Sequence, residues 1–350
     1  MSDAEWMLQA IALAHDARFT TSPRPWVGCV LVTEAGEVFS GVTAGKGGPH
    51  AEQIALSKAG AQARGATLYV TLEPCPHHGL TPPCTDAIIS AGLKRVVVAL
   101  RDPDERVNGQ GIAQLQKAGI KTSVGTCAAA AGRQLAPYLT HRRLRRPFVT
   151  VKLAATLDAR TALADGTSKW ITGPHARADA HLLRAEVDAV LVGANTARRD
   201  NPWLTVRDAI LPAGIKLWQV QPQRFVLGQI PANSNLLAAN PRAGVLPAQE
   251  LAGSLKEILP QLAEQDIVSL LVEGGATVAA AFHEAQLVDR YVFYLAAAVA
   301  GGNQALPLFN GQTATKISDL WRGRIVDLTL LGDDIRVELE PAPAPMPDLI

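Results

Sequence analysis

The chain holds only four cysteines in 350 residues, and their spacing matches no disulfide framework. That argues against a small cross-linked secreted scaffold and suits a reducing compartment. An excess of either charge is also missing: 33 Lys and Arg against 32 Asp and Glu leave a formal net charge of +1. Nucleic-acid or acidic-membrane binders carry a basic footprint, so a small-molecule partner is expected, with no nucleic acid and no membrane. No apolar run approaches membrane-spanning length. The opening Met1-Ser2-Asp3-Ala4-Glu5-Trp6 is acidic, whereas a secretory signal starts basic. No G-x-G-x-x-G occurs, so a Rossmann domain is unsupported, and no internal repeat is visible. Together these absences predict a soluble cytoplasmic enzyme.

What is present is a split cluster of metal-ligating residues. Pro49-His50-Ala51-Glu52 is followed by Glu73-Pro74-Cys75-Pro76-His77-His78-Gly79-Leu80-Thr81-Pro82-Pro83-Cys84. One imidazole (His50) and two thiolates (Cys75, Cys84) suit Zn2+, and three protein ligands leave the fourth tetrahedral position open for water. Glu52, two residues from His50, is placed to shuttle protons beside that water. Zinc lowers the pKa of bound water to about 7, which points to hydrolysis of an amidine-like ring carbon. The grouping resembles that of zinc nucleobase deaminases, although their cysteines are separated by two residues and these by eight. The competing reading is a structural site closed by His77 or His78. Cys29 and Cys127 read as small packed hydrophobes.

At 350 residues, 48% of them hydrophobic, the chain can build two cores. Ser2-x-x-Glu5 is a capping box for a first helix reaching about residue 18. Strand-like runs at 27–33, 37–43, 67–72, 95–100 and 121–124 alternate with helical patterns at 49–59, 85–91 and 111–118, which predicts a layered α/β sheet. His50 and Cys84 then open two helices, whose positive ends favour thiolate and hydroxide. The run His141-Arg142-Arg143-Leu144-Arg145-Arg146-Pro147 reads as a solvated connector rather than a phosphate site, and the domain boundary is placed there. A second α/β unit follows, with strands expected at 148–153, 189–193, 224–227, 267–272, 290–295 and 325–331. Segments 205–223 and 231–249 are loop-rich. The expected domains are residues 1–146 and 147–340, with 341–350 a disordered Pro/Ala tail.

Longer motifs carry a resemblance over nearly the whole chain. In the first half these include Val27-Gly28-Cys29-Val30, Gly48-Pro49-His50-Ala51-Glu52, Thr71-Leu72-Glu73-Pro74-Cys75, Thr81-Pro82-Pro83-Cys84 and Asn108-Gly109-Gln110-Gly111. In the second they include Lys152-Leu153-Ala154-Ala155-Thr156-Leu157-Asp158, Ser168-Lys169-Trp170-Ile171-Thr172-Gly173-Pro174, Asp200-Asn201-Pro202-Trp203-Leu204-Thr205-Val206-Arg207 and Val272-Glu273-Gly274-Gly275-Ala276. The chain resembles the bifunctional riboflavin-biosynthesis deaminase–reductase family. The resemblance implies a cytidine-deaminase-like α/β/α domain followed by a dihydrofolate-reductase-like α/β domain that uses NADPH. It also implies two consecutive reactions on one phosphoribosyl pyrimidine: hydrolysis of the C2 amino group, then reduction of the ribose carbonyl to a ribityl chain. By motif, Ala154, Trp170, Thr196, Asp200 and Gly275 look like cofactor contacts, while Ser168, Arg184, Leu204, Arg207 and Glu273 look like substrate contacts. For Trp170 and Leu204 the competing reading is core packing. His175, His181 and His283 have no partner pattern and read as structural. Oligomeric state stays open, a homo-oligomer included.

Four positions depart from the family's pattern. Arg24-Pro25 stands where Asn-Pro is usual, and arginine cannot accept a hydrogen bond. Leu80 replaces a cation suited to a phosphate, Ala159 replaces a frequent glycine, and Ala298 replaces a frequent lysine. Arg24 offers a replacement cation from another direction. These changes bear on substrate affinity and leave the zinc ligands and Glu52 untouched. Two other readings remain: a zinc deaminase of another nucleoside or base with a redirected second domain, and a zinc-stabilised nucleotide-binding protein without catalysis.

Overall fold

The computed structural model describes residues 1–79, 81–312 and 314–342. Leu80, Thr313 and 343–350, the last being most of the expected tail, lie outside the described residues. The described chain divides into two compact units, Met1–Arg145 and the residues from Arg146 onward.

The first unit runs α1 (Asp3–Ala14), β1 (Gly28–Val32), β2 (Val38–Val42), α2 (Ala51–Ala59), β3 (Thr67–Val70), α3 (Cys84–Ala91), β4 (Arg95–Val98), α4 (Gln110–Lys117), β5 (Lys121–Val124), α5 (Ala128–Gln134) and α6 (Ala136–Leu144). The capping box forms as expected: Ser2 N–H donates to Glu5 Oε2 at 2.7 Å, and Glu5 N–H donates to Ser2 Oγ at 3.3 Å. The sheet order is β2-β1-β3-β4-β5, antiparallel across β1 and parallel from β3 to β5. Cys29, Val30, Leu31, Leu68, Val70 and Val96 to Val98 are fully buried in its core. The start of α2 rests directly on β2, because a Cβ on Gly41 would come within 1.9 Å of the Ala51 carbonyl oxygen. Only glycine permits that approach, and the approach sets where His50 and Glu52 stand.

The second unit runs β6 (Phe148–Thr156), β7 (Arg160–Ala162), α7 (Pro174–Ala185), β8 (Ala189–Gly193), α8 (Ala194–Asp200), β9 (Gln223–Leu227), β10 (Gln249–Leu251), α9 (Leu255–Glu264), β11 (Ser269–Val272), α10 (Ala276–Glu284), β12 (Arg290–Ala296), β13 (Leu306–Pro307), β14 (Gly323–Leu331) and β15 (Asp334–Pro341). Its main sheet has the order β10-β9-β8-β11-β6-β12-β15-β14, parallel through β12 and antiparallel across the last two strands; β7 and β13 pair separately. From β6 the chain builds outward through β8, β9 and β10, then returns to insert β11 beside β6. Crevices for ligands open at the carboxyl ends of parallel strands where the order reverses in this way.

The arginine run differs from expectation. It forms the last turn of α6 and the entry to β6 rather than a solvated connector. Arg146 makes a two-pronged ion pair with Asp289 at 2.5 and 2.8 Å, and Arg142 lies 3.7 Å from Asp104. Partners supplied by the tertiary fold hold these charges. Pro341 closes β15, so the chain stays in regular structure to that residue. Ala159, at the turn between β6 and β7, has φ of 62°, in the left-handed region that glycine enters without strain.

Candidate functional site

His50 is the N-cap of α2 and Cys84 is the first residue of α3, so both stand where free backbone amides concentrate positive charge. The two helix starts are tied together through Gln53. Its side-chain oxygen accepts from His50 N–H at 3.2 Å, and its amide donates to the Pro82 carbonyl at 2.9 Å. Cys75 is drawn to the same point, its carbonyl accepting from Thr85 N–H at 3.3 Å.

The ligand atoms of His50, Cys75 and Cys84 lie within 4.8 Å of one another. His50 Nδ1 is 3.2 Å from Cys84 Sγ and 3.5 Å from Cys75 Sγ. A tetrahedron with Zn–S near 2.3 Å and Zn–N near 2.05 Å has N···S edges of about 3.5 Å, so the donor set fits zinc in spacing as well as in type. The hydrogen bond from Cys84, helped by His50, pulls the Cys75 thiol down to about 4, while the same contact pushes Cys84 up. Two sulfurs this close share one proton unless a cation counters the second charge.

Glu52 is 3% exposed, and burial raises its pKa above the ordinary carboxylate value. It lines a cavity of about 60 Å³ with His50, Cys75, Arg24, Glu73 and Asp102. Arg24 donates to the Gly48 carbonyl through both terminal nitrogens at 3.1 Å and to the Gly45 carbonyl at 3.3 Å. Its guanidinium thus lies on the cavity wall, fixed to the loop that leads into His50. Asp102 is pushed up to about 7 by burial and accepts from Tyr138 Oη at 3.0 Å.

Glu73, quoted above only as part of a motif, organises the far wall. Its carboxylate accepts from the backbone N–H of Asp102 at 3.3 Å, Gly109 at 2.9 Å and Ile112 at 3.1 Å. Gly111 lets α4 come down on Pro74, since a Cβ there would meet the Pro74 carbonyl oxygen at 2.0 Å. The Asn108-Gly109-Gln110-Gly111 motif is therefore the seat of Glu73, beside Cys75.

In the second unit, two adjoining cavities open at the carboxyl ends of β6, β8 and β11. The larger, about 800 Å³, is lined by Ala154, Trp170, Thr196 and Asp200 and by Ser168, Arg184, Leu204, Arg207 and Glu273. Gly275 lines only the smaller, about 600 Å³. The cavities share Thr161, Ser168, Thr196 and Asp200, which makes one continuous cleft. Every cofactor and substrate contact expected in the second half thus lines that cleft. Trp170 is 71% exposed with Arg177 over its ring at 4.7 Å, so it is no core residue; Leu204 is buried, with φ of 52°.

The floor of the larger cavity is a buried charge cluster. Arg184 Nη2 donates to Glu273 Oε2 at 2.9 Å, Arg184 Nε donates to Oε1, and Lys152 Nζ is 3.8 Å from Oε2. Burial alone would raise the Glu273 pKa, but Arg184 and Lys152 overcome it and leave the group at about 2. His181, read above as structural, lines the same cavity; its Nδ1 accepts from Arg207 N–H at 3.2 Å. Burial, with Arg184 and Arg207 beside it, lowers it to about 4, so the ring stays neutral near pH 7. Lys152 was also overlooked, although a charged residue inside an otherwise apolar strand run is itself a signal. His283 is structural, its Nδ1 2.7 Å from Tyr291 Oη.

A zinc-type ligand set beside a buried carboxylate, followed by an α/β unit with a dinucleotide-sized cleft, defines a deaminase joined to a reductase. Comparison with known proteins agrees. Residues 1–100 match the cytidine and deoxycytidylate deaminase zinc-binding region, and residues 147–337 match the RibD C-terminal domain. Riboflavin biosynthesis protein RibD of Haemophilus influenzae is 37% identical over 97% of this chain and 97% of its own length. The solved RibD of Acinetobacter baumannii is 37% identical with a TM-score of 0.87, covering 97% of this chain and 99% of that one. A Thermotoga maritima structure titled diaminohydroxyphosphoribosylaminopyrimidine deaminase/5-amino-6-(5-phosphoribosylamino)uracil reductase is 32% identical with a TM-score of 0.81, covering 97% and 99%. The chain belongs to the RibD family, the bifunctional deaminase–reductases of riboflavin biosynthesis. Among the described residues, no helix is long and apolar enough to cross a membrane.

Proposed function

We propose that residues 1–146 hydrolyse the C2 amino group of 2,5-diamino-6-(5-phosphoribosylamino)pyrimidin-4(3H)-one, and that residues 147–340 reduce the ribosyl chain of the resulting uracil to ribityl with NADPH. The observation that carries the first step is the three-ligand set of His50, Cys75 and Cys84 with the buried Glu52 carboxyl on the same cavity. When bound, zinc supplies Lewis acidity that makes water nucleophilic near neutral pH, and NADPH supplies hydride. Glu52, its pKa raised by burial, takes a proton from the attacking water and returns it to the departing amine. Arg24 and Asp102 face the ring from the cavity wall, one a donor and the other an acceptor when ionised.

In the second unit, Gly275 caps α10 without a side-chain partner, which leaves first-turn amides to receive the cofactor's diphosphate. Glu273 fixes the Arg184 guanidinium, and Arg207 lines the same cavity, so the cleft offers cations to the substrate phosphate and ring carbonyls. Reduction of the carbonyl needs one proton besides hydride. We assign that proton to Lys152, which lines the larger cavity and whose ammonium is made more acidic by burial. Four free thiols, two of them proposed ligands, fit a reducing cytoplasm.

Glu52→Gln tests the deaminase assignment. Zinc content measured by atomic absorption should be retained while ammonia release is lost. Ammonia release at the wild-type rate would overturn the role given to Glu52.

A further inference from the structure

We propose that Arg198 and Arg199 read the 2′-phosphate of the cofactor, and that these two side chains make the reductase cleft prefer NADPH to NADH. The proposal rests on the reading of residues 147–340 as an NADPH-dependent reductase, and it assigns a discriminating function that none of the residues singled out above supplies.

The cleft has a polarity. Its larger cavity holds the buried cluster of Lys152, Arg184 and Glu273, to which the proposed function assigns the carbonyl reduction. Its smaller cavity is walled by the turns that follow β8 and β11 and by Leu227 at the end of β9. A dinucleotide whose nicotinamide reaches the first cavity, with its diphosphate at the Gly275 turn, has its adenosine half in the second.

Among the described residues lining that second cavity, Arg198 and Arg199 are the two cations, and Asp200, on the wall shared with the larger cavity, is the one carboxylate. Asn195, Arg198 and Arg199 are spaced i, i+3 and i+4 on α8 and so share one helix face. Each guanidinium is steered by a neutral acceptor: Arg198 Nη2 donates to Asn195 Oδ1, and Arg199 Nη2 donates to the Gly166 carbonyl at 3.0 Å. Among the described residues neither has a carboxylate partner. Arg146, Arg184, Arg290 and Arg336 in the same unit all do. Two adjacent guanidiniums with spare donors suit a dianionic monoester through paired N–H···O contacts. NADH presents a hydroxyl at that position, which draws no charge-assisted bond. The competing account makes them solvated cations complementing the C-terminal end of α8.

Isothermal titration of the full chain separates the two. Wild type, Arg198→Ala, Arg199→Ala and the double variant are each titrated with NADPH, NADH, 2′,5′-ADP and 5′-AMP. Charged-group hydrogen bonds predict that each single variant loses about 10- to 100-fold in NADPH affinity. Binding of 2′,5′-ADP should fall in parallel, with NADH and 5′-AMP affinity retained and the melting temperature held. Equal loss for NADPH and NADH, or no loss for either, overturns the proposal. Wild-type binding of neither dinucleotide would sink the reductase reading, and this inference with it.

Discussion

Replacing Glu73 by alanine should uncouple the two halves of the protein. Glu73 is 4% exposed, and its carboxylate satisfies three backbone N–H groups, those of Asp102, Gly109 and Ile112. Each buried donor left without an acceptor costs about 1–3 kcal/mol. The loop can relax and admit water, so the loss falls short of the sum and is expected at about 3–5 kcal/mol. Glu73→Gln keeps one acceptor oxygen but turns an amide toward a backbone donor, and should lose about 1–3 kcal/mol. Urea unfolding of the first unit and hydrogen exchange over residues 101–112 measure both effects. That loop carries Asp102 into the deaminase cavity, so ammonia release should fall with Glu73→Ala while supplied deaminated substrate is still reduced. A destabilisation below about 1 kcal/mol, or equal loss of both activities, would refute the reasoning from unsatisfied amides.

Three further outcomes follow from particular residues. Asp102 has a folded pKa of about 7, above the unfolded carboxylate value, so the native state holds its proton through the interval between them. Its contribution is full below about pH 4 and is lost as pH rises through 7; Asp102→Asn should flatten that fall in urea unfolding measured from pH 5 to 8. Ala159→Gly should raise stability by about 0.5–1 kcal/mol in thermal melts, because φ of 62° strains a side chain with a Cβ. Arg24→Ala removes three hydrogen bonds to the loop before His50 and a cation from the cavity. It should raise KM for ammonia release with zinc content unchanged, whereas an unaltered KM would deny Arg24 any contact with substrate.

The metal cluster was legible because its chemistry is local. His50 and Cys84 begin helices marked by Pro49 and Pro83, and their residue types alone nominate zinc. Strands such as β6 and β8 were legible as apolar runs. Features that depend on distant partners were not. Nothing in the motif around Glu73 announces that its acceptors' partners come 29 to 39 residues later. The arginines at the end of α6 and at the entry to β6 read as solvated because Asp104 and Asp289 arrive from elsewhere in the chain. The helix α5, Ala-rich with few large apolar residues, lacks the periodicity that marks a buried face. His181 needed Arg184 and Arg207 beside it before its neutral ring acquired a role.

The central claim is that one chain carries two stations acting in sequence on one phosphoribosyl pyrimidine. It is tested by giving the purified full chain the diaminopyrimidine ribose phosphate and NADPH, and following ammonia release and NADPH oxidation separately. Both signals should appear, ammonia first, and chelating zinc should stop both. Deaminated substrate added to the zinc-free protein should then restore NADPH oxidation alone; failure of that rescue in correctly folded protein would contradict the two-station account.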